Sequence, residues 1–441
     1  MTGAGSTSVA VIRPVRPGDL ADLPVRVQDM LRAQEFAGEP GQRALMTADD
    51  LEIFVGVGAE ASRQAVRVAV SRLGLARGSR VRVEPPGMPR PERVVDLLRA
   101  ELVAADYDLA DWESSSARAH EVEGLALRRA REWTNASGAA LTPPRFAEMA
   151  RELAESVGLR ADVWDESRLE QERCGAILAV GQGSTHGTRL VDLLYDPPGA
   201  PHSVTLIGKG VTFDTGGLSL KSPAAMASMR MDKVGVATVL AVMSVLPDLG
   251  LNVRVKGLLP LAENMIGPDA VKPGDVVVGR SGVPITIMDT DFEGRVLMSD
   301  ALTLACEAST DCVIDIAALT YQVAIALGNE IAGLFTNDDG LAGELARAGA
   351  VAGEEMWRLP LARCYQSQVR LGDGVKNHPE SDVGRAITAA LFLEHFVRSD
   401  VPWAHLDITG PAWSGPASEP GATGYGVRTL LEFLRAKASS T

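Results

Sequence analysis

The stretch ITIMDTDFEGRVLMSDALTLA, Ile285–Ala305, decides the fold class. Its first five residues are apolar and β-branched enough for a short buried strand, and VLMSDALTLA has the spacing of a helix. The acidic DTDFEGR, Asp289–Arg295, lies between them, so the segment predicts strand, loop, helix, the unit of a parallel α/β sheet. Asp291 and Glu293 stand two residues apart at the carboxyl end of that strand, where an extended chain points both carboxylates the same way. Ligands of open α/β sheets gather at such strand ends. Gly294 is expected to let the backbone turn, with Arg295 opening the helix. A solvated acidic loop capping that helix is the alternative.

Further strands are expected at Ala176–Val180, Ser203–Gly208, Val253–Leu259, Asp311–Ile316 and Trp403–Ile408, with helices between most of them. Upstream, Leu51–Val57 and Arg80–Glu84 predict strands, Glu60–Leu73 a helix, and a further helix opens near Val94. A helical pattern runs from Val122 to Thr134. Thr142 before Pro143-Pro144 marks the start of a helix to Val157. The expected organisation is therefore α/β in two domains. Residues 1–150 form a smaller N-terminal α/β domain. Residues 151–441 form an α/β sandwich with a central mixed, mostly parallel sheet carrying the site.

The 441 residues include 43 basic and 57 acidic ones, a formal charge of −14, which disfavours a diffuse grip on nucleic acid or anionic membrane. The four cysteines, Cys174, Cys306, Cys312 and Cys364, are scattered without a CxxC pair and suit a reducing compartment. No window reaches the roughly 18 apolar residues of a membrane span, and Met1–Ala10 shows no secretory pattern, so a cytoplasmic location is expected. The six histidines include no HExxH pair, and GxSxG is absent.

A second segment, GKGVTFDTGGLSLK (Gly208–Lys221), continues to MRMDKVG with Asp232. Gly216-Gly217 lets main chain approach a bound group closely. A phosphate loop fails, since GxxxxGK[ST] is missing. A charged surface loop remains open on these residues alone.

Together the two segments resemble the paired signature of the leucine (cytosol) aminopeptidase family, with ENMIGPDAVKPGDVV (Glu263–Val277) between them. WRLPL (Trp357–Leu361), AITAALFL (Ala386–Leu393) and WAHLDITG (Trp403–Gly410) extend the likeness over roughly residues 125–435. The resemblance implies a metal-dependent aminopeptidase or dipeptidase. It implies Lys209, Asp214, Asp232, Asp291 and Glu293 as ligands of two divalent cations, Asp214 and Glu293 shared by both. Zn²⁺ or Mn²⁺ would fill the sites, with Mg²⁺ or Co²⁺ as alternatives. Lys221 and Arg295 are implied as catalytic, Arg295 holding a bicarbonate that acts as base, and the assembly as a homo-hexamer acting on peptides or dipeptides. Charge supports this: four carboxylates balance two dications, and a neighbouring dication favours the neutral amine that Lys209 needs to ligate.

The sequence departs from the family at Asp289, Phe292, Lys233 and Tyr321, where Asn, Ala, Met and Gly are usual. Asp289 and Lys233 are expected to form an ion pair behind the ligands, and Phe292 with Tyr321 to narrow the side-chain pocket. Two other readings stay open. One is a weakened or pathway-dedicated member. The other is a DNA-binding protein using Arg63, Arg67, Arg72, Arg77, Arg80 and Arg82.

Overall fold

The computed structural model describes residues 10–47, 51–57, 63–73, 75, 79–84, 91–109, 115–414 and 421–440. They fall into two compact units, Met1–Arg128 and Arg129–Thr441. The division lies inside the helix Ser115–Asn135, upstream of the 150/151 boundary expected from the Pro143-Pro144 helix start. That local start signal does not say where the helix packs. Pro143–Ser156 buries Phe146, Ala147, Ala150 and Ala154 and lies against strands of the second unit.

The first unit carries β1 (Ala10–Val15), β2 (Arg43–Thr47), β3 (Leu51–Gly56), β4 (Arg80–Val83) and β5 (Asp108–Leu109). Their order is β2-β3-β1-β4-β5, parallel except for β2 against β3. Ile12, Ile53, Val55 and Val81 fill its core with Val66 and Leu98 of the helices Arg63–Ser71 and Pro91–Ala104. Of the arginines considered for nucleic acid, Arg77 lies outside the described residues. Arg82 pairs with Glu84 at 2.9 Å, and Arg72 donates to the Gly41 carbonyl at 3.4 Å.

The second unit adds β6 (Arg160–Trp164), β7 (Arg189–Tyr195), β8 (Ser203–Gly208), β9 (Gly210–Asp214) and β10 (Arg254–Asn264). They are followed by β11 (Val276–Val278), β12 (Pro284–Thr286), β13 (Cys312–Ala317), β14 (Ala332–Thr336), β15 (Met356–Arg358), β16 (Arg370–Leu371), β17 (Gly374–Lys376) and β18 (Trp403–Asp407). The central sheet runs β15-β14-β18-β13-β8-β10-β7-β6, with β9 also paired to β10. Its middle, β18-β13-β8-β10, is parallel; β14 joins β18, β7 joins β10 and β6 joins β7 antiparallel, while the edge pair β15-β14 is parallel. Successive residues of β8 and β13 are buried, so both sheet faces are covered. The wholly buried helix Val234–Met243, apolar except for Thr238, packs on β8, β10 and β13. Ile207, Leu258, Val313 and Ala317 instead join a core with the helices Gly175–Gly181, Glu293–Glu307 and Arg385–Glu394. Among the described residues no helix is long and apolar enough to cross a membrane.

Two expected strands differ. Ala176–Val180 is helical, because a short apolar run does not distinguish strand from buried helix; the Asp300 carboxylate accepts its first N–H groups, Ala176 at 2.9 Å and Ile177 at 3.0 Å. The strand of the decisive stretch is only Pro284–Thr286. It belongs to a small sheet, β11-β12-β17-β16, rather than to the central one. Beyond it the backbone finds other partners: the Ile287 N–H donates to the Asp275 carbonyl, and the Met288 N–H to Asn377 Oδ1.

Candidate metal centre

The site starts from a break in the sheet. β10 pairs with β8 through Arg254–Leu258 and with β9 through Leu261–Asn264, and Lys209 is the residue between β8 and β9. Its own N–H donates to the Ile316 carbonyl of β13, which anchors the break. The side chain is buried. Its Nζ lies 2.7 Å from Asp232 Oδ1 and 3.0 Å from Glu293 Oε1, and donates to the Ala318 carbonyl at 3.3 Å. Gly294 is helical, not a turn. Its missing Cβ leaves room for Lys209, whose Cε would lie 2.3 Å from one.

Asp214 ends β9. Its Oδ1 accepts from the Gly216 N–H and from Asn264 Nδ2, each at 2.8 Å, and its Oδ2 lies 2.8 Å from Lys221 Nζ. Lys221 also pairs with Asp291. Gly216 takes a left-handed φ of +85°, and a Cβ there would meet Asp291 Oδ1 at 2.9 Å, so glycine brings the two carboxylates together. Asp214, Asp291 and Glu293 each offer a carboxylate oxygen within 4.8 Å of the others. All five residues expected as ligands thus converge, with Lys221 and Arg295, on one cavity of 490 Å³ within this unit.

Burial and the crowding of like charges set the electrostatics of the cluster. Burial, then Asp214 and Glu293, push the Asp291 carboxyl up to about 7. Glu293 and Asp232 are also raised, first by burial. Burial opposes the Lys209 and Lys221 ammoniums, but the carboxylates around them outweigh it and both pKa values rise. Asp232 Oδ2 and Glu293 Oε2 are buried without any hydrogen-bond partner. A divalent cation pair fits this set: it would satisfy the orphaned oxygens, offset carboxylate repulsion, and replace lysine ammoniums that only partly neutralise the cluster. Arg295 is 2% exposed, burial pulls its guanidinium down to about 10, and its Nε has no acceptor, which suits a small anion such as bicarbonate.

Asn377, Thr290, Asn264 and Asp407 were not singled out from the sequence. Asn377 Oδ1 accepts from the N–H groups of Met288 and Asp289, while its Nδ2 donates to the Asp289 and Phe292 carbonyls, clasping the loop that bears Asp291. Thr290 Oγ1 donates to the Gly216 carbonyl at 2.6 Å and accepts from the Ser219 N–H at 2.8 Å, joining the two loops. Asp407 accepts from the N–H of Thr320 at 3.0 Å and from its hydroxyl at 2.6 Å, fixing the wall after β13. Lone Asn and Thr residues far apart in the chain carry no spacing signal.

The expected Lys233–Asp289 ion pair is not formed. Lys233 is fully buried, and its Nζ donates to the carbonyls of Ala136 and Arg230, each at 2.7 Å. Asp289 Oδ1 instead accepts from the Asp291 N–H at 2.9 Å. Both new aromatic residues line the cavity: Tyr321 is 71% exposed at the start of the helix Tyr321–Leu327, and Phe292 lies edge-on to His378.

Residues 128–431 match the catalytic domain of the cytosol aminopeptidase family. The chain is 42% identical to a probable cytosol aminopeptidase of Rhodopirellula baltica, a match spanning 73% of this chain and 64% of that protein. It is 37% identical to a probable cytosol aminopeptidase of Synechococcus sp. (strain CC9605), over 93% of this chain and 92% of that one. Among solved structures, the bottromycin maturation enzyme BotP in complex with Mn is similar at a TM-score of 0.86 and 36% identity. That likeness covers 98% of this chain and all of the other.

Proposed function

The chain belongs to the cytosol aminopeptidase family, and on that premise we propose that it is a metal-dependent aminopeptidase releasing N-terminal residues from peptides or dipeptides. The observation that carries the reading is the convergence of four carboxylates on one cavity, Asp214, Asp232 and Glu293 buried and Asp291 partly so, with Asp232 Oδ2 and Glu293 Oε2 left without a hydrogen-bond partner. Asp214, Asp291 and Glu293 would hold one cation, and Lys209, Asp232, Asp214 and Glu293 the other. Bound there, divalent cations supply Lewis acidity, polarising a peptide carbonyl and acidifying water. Zn²⁺ or Mn²⁺ is proposed, the manganese complex of the related BotP supporting the second.

Lys221 faces the same cavity as a cation and stabilises negative charge developing on the carbonyl oxygen. The Arg295 guanidinium, with its unpartnered Nε, would hold bicarbonate, whose chemistry there is that of a general base. The proposed assembly is a homo-hexamer in the cytoplasm, as family membership suggests. Phe292 and Tyr321 at the cavity, with the likeness to a maturation enzyme, support a second reading, a member dedicated to the peptide of one pathway.

The test is hydrolysis of an aminoacyl and dipeptide panel with each metal supplied separately. Activity lost to chelator and to Glu293→Ala supports the reading, provided the variant keeps its fold by circular dichroism. No turnover by folded, metal-loaded protein overturns it.

A further inference from the structure

Arg385 opens the helix Arg385–Glu394 and lines the same cavity as the carboxylates. Its guanidinium lies 5.5 Å from the centre of the Phe292 ring, and that of Arg295 lies 4.6 Å from the same centre. Two like charges therefore share one aromatic ring, whose π cloud offsets part of their repulsion but accepts no ordinary hydrogen bond. Arg295 has no ion pair among the described residues. Arg385 is paired only with Asp382, whose side chain is 90% exposed and so screened by water. The Nε atoms of both arginines are buried and lack an acceptor. Two neighbouring guanidinium groups, one buried and one partly exposed, each with an unmet buried Nε–H, are relieved by an anion, and a carboxylate matches the guanidinium fork. Bicarbonate accounts for Arg295 and leaves Arg385 to be explained.

Arg385, beside Phe292, thus lines the same cavity as Asp214, Asp232, Asp291 and Glu293 and adds a cation to it. A peptide placing its amino terminus among the acidic groups presents its leaving portion elsewhere in the cavity. We propose that Arg385 is a specificity residue that receives a substrate carboxylate on the leaving-group side of the scissile bond. In a dipeptide that group is the C-terminus; in a longer peptide it is an acidic side chain just after the cleaved bond. This rests on the aminopeptidase reading and adds the substrate class to it.

The test compares kcat/KM of metal-loaded wild type and R385Q on two pairs, Leu-Ala against Leu-Ala-amide and Leu-Asp-amide against Leu-Asn-amide. The carboxylate-over-amide ratio is expected to exceed one in wild type and to fall about tenfold in R385Q, mostly through KM, the scale of a charge-assisted hydrogen bond. R385K, a cation without the fork, should keep part of the ratio. A response confined to the first pair assigns the C-terminal carboxylate; one confined to the second assigns the side chain. Ratios equal in wild type and R385Q, with the amides still cleaved, overturn the proposal and leave the peptidase reading standing. If wild type cleaves none of the four, the peptidase reading fails. Titration calorimetry with the same four uncleaved peptides then decides: carboxylate-dependent affinity lost in R385Q supports the subsite, and its absence overturns it.

Discussion

Lys233 offers a test that needs no substrate. It is fully buried, and burial, reinforced by Arg230, lowers its pKa from 10.5 to about 7 despite the neighbouring Asp232. Two backbone carbonyls accept from its Nζ at 2.7 Å and a third, of Thr212, only at 3.5 Å, so a neutral amine can serve the two short contacts. Between pH 7 and 10.5 the unfolded chain therefore binds a proton that the folded chain lacks, so stability rises with pH across that window, by about 1.4 kcal/mol per pH unit where the difference is complete. Half-protonation of the folded state at pH 7 trims the gain between pH 7 and pH 9 to roughly 2 kcal/mol. Lys233→Met removes this dependence. It also loses two hydrogen bonds of about 1 kcal/mol each, a cost that does not vary with pH. The assay is urea denaturation of chelator-treated protein at pH 7, 8 and 9, followed through tryptophan fluorescence; Trp403 is fully buried in this unit. Wild type should gain about 2 kcal/mol on K233M from pH 7 to 9. Parallel curves would mean that Lys233 is charged in the folded chain and that the explanation from burial is wrong.

Asn377→Ala should weaken metal affinity about 10- to 100-fold, because it frees the loop carrying Asp291 without touching a proposed ligand. Unchanged affinity by calorimetry would show that Thr290 alone holds that loop. Metal loading should release protons, because Lys209 enters the site as an ammonium between Asp232 and Glu293 and can ligate only after losing its proton. Titrations in buffers of different ionisation enthalpy should reveal the release, with affinity increasing as pH rises. Lys209→Met should reduce the proton count, and an unaltered count would exclude Lys209 as its source.

The legible parts of this protein were those whose signal is local. β8, β10, β13 and β18 stand close to where apolar, β-branched runs put them; the five residues that the family resemblance, rather than local pattern, implies as ligands line one cavity. Ala176–Val180 failed because an apolar run of five residues fits either secondary structure. What settled it is Asp300, far away in sequence, accepting the first N–H groups of the helix. Lys233 failed for a related reason. A charge beside a ligand suggests an ion pair, but the backbone carbonyls that take its Nζ come from Ala136 and Arg230 and cannot be read from residue types. Arg385 drew no notice in sequence, since only packing sets it beside Phe292.

The position of Lys209 explains why so much chemistry collects at one point of the sheet. A continuous strand there would spend residue 209 on the ladder between β10 and β13. Instead β10 passes from β8 to β9, and Lys209, its N–H still on Ile316 of β13, turns its amine toward Asp232 after β9 and Glu293 at the start of the helix Glu293–Glu307. The same interruption lets Asp214 end β9 opposite Asn264, the last residue of β10, whose amide fixes the carboxylate. One local loss of pairing therefore positions an amine and a carboxylate from the same short segment, and glycines at 216 and 294 allow the partner groups to approach. Filling either glycine with a methyl group would press on Asp291 or Lys209 directly, so the geometry depends on those two absences as much as on the charged residues.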